Sequence, residues 1–382
     1  MDFSDESICM NKNNTIKIVS KDWRIECAMS FFILNFARRI RADEGTDTKT
    51  MDFTTKIEIK KSKKEISHEH KIMLVGSCFA DNIGQKLVEA KFDCLVNPFG
   101  TIYNPLSAAV LLEKALDREM FSEESSWVFK SGDGLWHSWL HHSRFSAETS
   151  EELCRNINET TVCVANRLAE CDVLIVTLGT SIYYALHENG YVVANCHKQK
   201  DSLFFRRRIS PEEISERWSK LIVRLREYNP RIRILFTVSP IRHKRDGMHV
   251  NQLSKSSLLL GVDMLCEEFP DAVEYFPAYE IVMDELRDYR FYADDMVHPA
   301  GIAVEYIWQR FCDIYFNGMT KKALCACAAI SASVAHRPSN PQSEEYRRFI
   351  KSVIDKIHIL KKDFPYINME QELQICNIRL TK

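Results

Sequence analysis

The sequence predicts an α/β protein: a three-layer α/β/α sandwich around a five-stranded parallel sheet of flavodoxin-like order 2-1-3-4-5. Three observations predict it. Short apolar runs recur at 72–75, 92–96, 171–178, 231–238 and 272–276, and a run that is apolar throughout reads as a strand buried on both faces. Stretches of helical spacing alternate with these runs, which favours a parallel sheet. The runs stop at turn-forming residues, so Ser77, Gly100, Gly179 and Ser239 are expected on one edge of the sheet. In open α/β sheets that edge binds ligands.

The stretch around Ser77 sets the pattern. Ile72 to Val75 are apolar, Gly76, Ser77 and Cys78 break the run, and Ile83, Leu87 and Val88 then follow helical spacing. Ser77 is therefore expected at the C-terminal end of a strand and at the N-terminus of a helix, whose free N–H groups favour a developing anion. Its bland role there is a helix N-cap. Before this unit, residues 1–52 carry one apolar stretch at 28–37 followed by Arg38, Arg39 and Arg41. A secretory signal has its charges first, so these residues are read as an extension and the folded protein is expected to begin near Met51. Residues 55–64 alternate and suggest an edge strand or hairpin.

Downstream, Pro98, Gly100, Asn104 and Pro105 fix a loop between the second strand and a helix at 106–116. Residues 121–145 hold Trp127, Trp136, Trp139, His137, His141 and His142 and look like a small hairpin insertion. Helices are expected at 151–169, 211–228, 251–269 and 300–316. Asn189-Gly190 marks a hairpin turn, and Pro211 suits a first helical turn. A long charged helix is expected at 343–360. The main domain is placed at 53–320 and a C-terminal helical segment at 321–382.

Composition narrows the function. The chain has 382 residues, 45% of them apolar, with 51 basic and 53 acidic side chains and a formal charge of −2. That balance gives no electrostatic case for a nucleic-acid partner. The triplet Arg206-Arg207-Arg208 is read as a solvated face. No run reaches the length of a membrane span. The thirteen cysteines are scattered without a secreted-scaffold spacing, which favours free thiols in a reducing, cytoplasmic setting. Cys325 and Cys327 lack further ligands at metal spacing. No cofactor is expected.

The chemistry lies late in the chain. Asp295 and His298 are three residues apart in a loop before Pro299. A carboxylate at that spacing can hold one imidazole nitrogen while the other faces outward as a base. With Ser77 this makes a nucleophile, a base and an orienter. Asp294 is the rival orienter, expected to cap or face solvent. Cys78 is read as a thiol turned into the core. Arg242 and His243, at the end of a strand, and His142 are the candidate substrate contacts, for an anionic or sugar-like group. Against this stands a salt bridge that merely fixes the loop. Asn195, Cys196 and His197 are weaker candidates. His137, His141 and His142 are expected to pack with the tryptophans rather than bind a metal.

These residues resemble the GSCFA domain family, through Gly76-Ser77-Cys78-Phe79-Ala80, NPFGTIYNP at 97–105, TLGTS at 177–181, VANCHK at 193–198, SPIRH at 239–243 and the stretch 275–299. The resemblance runs from about residue 71 to 316 and implies an SGNH/GDSL-type hydrolase that cleaves or transfers an ester acyl group. In that group the oxyanion meets the serine N–H, a glycine N–H after the second strand and an asparagine after the third. Ser77 and Gly100 match the first two. No asparagine follows the third strand, so the third donor is missing or comes from Thr180 or Asn104. The resemblance therefore implies a serine esterase acting on a small acyl, possibly acetyl, ester of a carbohydrate or other small molecule through Ser77, His298 and Asp295. The alternatives are an acyltransferase and a binding or scaffold protein that keeps the fold without turnover.

Overall fold

A parallel strand with helices on both faces must be apolar on both, and the interior strands obey this. In β1 (Lys71–Gly76), Met73 and Val75 enter one core while Ile72 and Leu74 enter the other. In β3 (Val173–Leu178), Leu174, Val176 and Leu178 face the first core, and Val173 and Ile175 the second. β4 (Arg233–Val238) divides the same way, with Ile234, Phe236 and Val238 opposite Leu235. The edges are β2 (Asp93–Val96) and β5 (Val273–Phe276). All pairings are parallel, and the order is β5-β4-β3-β1-β2, the expected 2-1-3-4-5 arrangement.

Helices cover both faces. On one lie α2 (Pro105–Leu116), α3 (Ser150–Glu170), α4 (Pro211–Tyr228) and α5 (Met248–Glu268). On the other lie α1 (Cys78–Glu89) and α6 (Gly301–Tyr315). The sequence starts these helices with side-chain caps. Asn104 Oδ1 accepts the Ser107 N–H at 2.9 Å just ahead of Pro105. Ser210 and Glu213 form a reciprocal capping box. Three further helices, α7 (Gly318–Ala335), α8 (Glu344–Asp363) and α9 (Glu370–Thr381), share a core of their own around Cys327, Ile350 and Ile357. No described helix is long and apolar enough to cross a membrane.

The molecule is described by a computed structural model covering residues 54–381. Within the first 53 residues it gives only the backbone of an antiparallel ribbon, Ser7–Met10 against Ile16–Val19, in a separate unit. The reading of residues 1–52 as an extension otherwise falls outside the described residues. Residues 55–64 form no strand. Their alternation serves anchoring instead. The Ile57 N–H donates to the Glu285 carboxylate at 2.6 Å and the Ser62 N–H to the Ile314 carbonyl at 3.2 Å, while Ile57 and Ile59 pack on the second core. The insertion is a two-stranded ribbon, Val128–Lys130 with Trp136–Ser138. Ile182–Leu186 pairs with both Val192–Val193 and Phe204–Arg208.

Gly76 is the tightest point in the sheet. Its φ is +147°, and a Cβ there would stand 2.1 Å from the Thr177 carbonyl oxygen. Neither the backbone conformation nor the space admits a side chain. Gly76→Ala is expected to cost about 2–6 kcal/mol, adding backbone strain to overpacking. Urea unfolding of the variant checks this, and a midpoint equal to wild type would refute it.

Candidate active site

The strand ends after β1 to β4 share one edge because the sheet is parallel. At the first of them, the Ser77 N–H donates to the Thr177 carbonyl at 3.0 Å, which extends the β1–β3 ladder by one residue. Ser77 is extended, 1% exposed, and its hydroxyl accepts the Phe79 N–H at 3.3 Å as the N-cap of α1. Cys78 is the first residue of that helix and is half-buried. Its N–H, orphaned by position at a helix start, has no protein acceptor among the described residues.

The base comes from the loop ahead of α6. The Asp295 Oδ1 accepts the N–H groups of Val297 and His298 at 2.9 and 3.0 Å, and Oδ2 accepts His298 Nδ1–H at 2.5 Å. The His298 and Val297 amides, then the imidazole, hold the Asp295 carboxyl down at about 2. A carboxylate only accepts, so the proton sits on Nδ1 and leaves Nε2 as the open acceptor. Nε2 faces Cys78 Sγ at 3.8 Å. Cys78 packs against the second core as expected, yet its sulfur also meets the imidazole, and Ser77 is not the side chain that the imidazole meets. The N-cap hydroxyl is turned onto the helix end, so the next residue is the one presented to the edge. Asp294 is exposed.

The expected oxyanion donors are all engaged. The Ser77 N–H is spent on Thr177, and the Gly100 N–H donates to the Asn97 carbonyl at 2.8 Å. The Thr180 N–H donates to the Tyr103 carbonyl at 3.0 Å, and its hydroxyl pairs with Ser254 at 3.0 Å. Asn104 caps α2. The Cys78 amide, one residue from the expected one, has no protein acceptor among the described residues.

The expected substrate contacts are largely structural. Arg242 donates through its N–H to the Val297 carbonyl at 3.2 Å and through its guanidinium to the Met296 carbonyl. It also lies 4.3 Å from the Tyr292 ring centroid. It therefore staples β4 to the loop that carries His298. The His243 N–H donates to Asn251 Oδ1 at 2.9 Å, while its buried Nε2 sits beside Gly179 without hydrogen-bond geometry. Burial, then the Lys255 charge, push its pKa down to about 4, so it is a neutral imidazole at pH 7. His142 packs against Gly100 and accepts the Arg144 N–H at 3.2 Å.

Two of the insertion histidines pack among phenylalanines rather than with the expected tryptophans. His137 lies against Phe129, and His141 against Phe99, Phe121 and Phe145. His197 packs on His137 with its Nε2 on the Ser138 carbonyl at 2.8 Å. Among the described residues no group of three or more His, Cys, Asp or Glu could hold a metal ion, and all described cysteines are free thiols. A cavity of about 630 Å³ lies along the β5 edge, between Leu260, Cys266, Tyr275 and Tyr315, and includes none of the residues above.

With this geometry in place, the comparisons assign the chain. The GSCFA family model matches residues 71–311, from the start of β1 through most of α6. The chain belongs to the GSCFA family. The model of the GSCFA domain protein C-terminal domain matches residues 327–382, within α7 to α9. No curated protein matches. Among solved structures, this GSCFA chain is similar to an acetyl xylan esterase (Est2A) from the rumen bacterium Butyrivibrio proteoclasticus. The similarity has 13% identity and a TM-score of 0.29, over 68% of this chain and 64% of that one.

Two residues of the GSCFA site were not singled out from the sequence, although Asn97 opens the NPFGTIYNP string. Asn97, at φ +40°, receives the Gly76 N–H on Oδ1 at 2.9 Å and donates through Nδ2 to Asp81 at 2.7 Å. It thereby ties β1, the β2 loop and α1 together. Lys255, fully buried on α5, donates to the Gly179 and Ser239 carbonyls, each at 2.6 Å. Burial pushes its pKa from 10.5 down to about 7. The unfolded chain thus binds more protons than the folded one between those values, and this group makes stability rise with pH across that window. Lys255→Met is expected to remove that slope. Urea midpoints stepped through the window check it, and an unchanged slope would refute it.

Proposed function

We propose that this protein cleaves a small acyl ester, of about acetyl size, by nucleophilic acyl transfer at the C-terminal edge of its sheet. His298 is the general base and Asp295 its orienter. One observation carries the reading: the imidazole is bound to a carboxylate through Nδ1, and its free Nε2 faces the β1–α1 turn. A nucleophile on that turn attacks the ester carbonyl as Nε2 takes its proton, and the imidazolium returns the proton to the departing alkoxide. Water, deprotonated by the same nitrogen, then releases the acid. The Cys78 N–H and the positive end of α1 suit the oxyanion.

The side chains of His298 and Asp295 are 47% and 46% exposed. So open a base favours a short acyl group on a carbohydrate or other small alcohol over a long chain that needs a tunnel. His298→Ala is expected to lower kcat/KM on p-nitrophenyl acetate or an acetylated sugar by roughly 10²–10⁴-fold. Asp295→Asn keeps an oxygen for the two loop amides but offers an N–H to Nδ1, favouring the wrong tautomer. Its expected loss is up to about 10⁴-fold. Because Asp295 stays ionised down to about pH 2, activity lost on acidification above that range does not come from protonating the orienter. Turnover by His298→Ala at the wild-type rate would overturn the reading.

A further inference from the structure

We propose that the attacking atom is the Cys78 sulfur, so that the acyl-enzyme is a thioester on Cys78 and not an ester on Ser77. The inference rests on the acyl-transfer reading above. Three observations, each independent of the others, lead to it.

The first is the facing pair. His298 Nε2 has Cys78 Sγ at 3.8 Å, on the side of the ring away from Asp295. Sulfur, base nitrogen and carboxylate follow one another in the order a base-assisted nucleophile needs. The second is the position of the rival. Ser77 is 1% exposed, and its hydroxyl holds the Phe79 N–H. To attack, it would have to leave the cap and come out from beneath the helix start. The third is the amide. An oxyanion formed beside the nucleophile needs a backbone N–H not already spent on the fold. The Ser77 N–H is spent on the Thr177 carbonyl, whereas the Cys78 N–H has no protein acceptor among the described residues.

The chemistry closes without a co-reactant other than water. The thiol proton moves to Nε2 as the S–C bond forms, and the carbonyl electrons go to the oxyanion. Collapse expels the alkoxide, which takes the proton from the imidazolium and leaves the thioester. Water attacks the thioester carbon and gives a proton to Nε2. The C–S bond breaks, the acid departs, and the thiolate recovers the proton. Burial and the Asp81 charge raise the thiol pKa, against Lys255 and the first amides of α1. Cys78 thus rests as a thiol, and His298 is needed to deprotonate it.

The test uses the full chain and p-nitrophenyl acetate. The acetylated protein is trapped, its adduct mapped by peptide mass, and its lability to neutral hydroxylamine measured, since that reagent cleaves thioesters far faster than oxygen esters. The expected adduct is on Cys78, absent in His298→Ala, and released by hydroxylamine. Iodoacetamide should modify Cys78 and block turnover in step. Cys78→Ala should lose roughly 10³-fold or more, while Ser77→Ala should melt lower and still form the adduct. The iodoacetamide arm, on unaltered protein, decides the matter if a variant fails to fold. A His298-dependent, hydroxylamine-resistant adduct on Ser77, or full turnover after Cys78 is alkylated, overturns the thiol assignment and leaves the acyl-transfer reading standing. No acylation and no His298-dependent turnover with any acetyl ester overturns both.

Discussion

The contact between Gly76 and the Thr177 carbonyl is the constraint on which the site depends. Only a residue without Cβ lets β1 run this close to β3 at its last position. The ladder then holds for one residue more, through the Ser77 N–H. The helix can start only after that bond, so Ser77 becomes the cap and Cys78 the first helical residue. A looser strand end would let the turn open one residue earlier and present Ser77. Asn97 fixes the same point from the other side by accepting the Gly76 N–H. The choice between hydroxyl and thiol is thus made by backbone packing several bonds away from either atom.

The base is held by a different kind of constraint. Its loop makes few core contacts and carries Met296 at φ +59°. What fixes it is polar: two amides on Asp295 from within, and Arg242 on the Met296 and Val297 carbonyls from β4. Arg242 sits over Tyr292, which limits its freedom. Beneath this, Lys255 ties the ends of β3 and β4 together, and its amine, whose pKa burial pushes down to about 7, is at 0% exposure. Its charge helps keep His243 neutral and pulls the Cys78 thiol down against burial. A methionine there could fill the volume but could satisfy neither carbonyl.

What the sequence revealed follows from what periodicity encodes. β1, β3 and β4 were legible because burial on both faces demands unbroken apolar runs, and Ser210 with Glu213 and Pro211 announces a helix start. α7 was legible only as part of the helical segment expected at 321–382 and not as an element with ends of its own: its run of Ala, Cys and Ser offers little contrast between faces, and α8 and α9 share its core. Residues 55–64 misled because alternation in a segment pinned to helix ends looks like alternation in a strand. The pairing of Asp295 with His298 was legible because both ends lie in one turn. Which of Ser77 and Cys78 faces the imidazole was not, since it depends on where the ladder ends, and that is set by residue 177. The shift of the free amide from Ser77 to Cys78 has the same origin.

The thiol gives the site a character that the hydroxyl would not. A cysteine at a helix N-terminus beside a histidine can rest as an ion pair when its surroundings are positive. Here burial and Asp81 outweigh Lys255 and the helix amides, and the thiol pKa rises. Proton removal is then coupled to attack and falls to His298, whose tautomer Asp295 sets. With a carbonyl beside the Cys78 amide, the proton passes to Nε2 as the sulfur attacks. An exposed His298 and a half-buried Cys78 are compatible on those terms: the base stays wetted, while the nucleophile rests as a thiol.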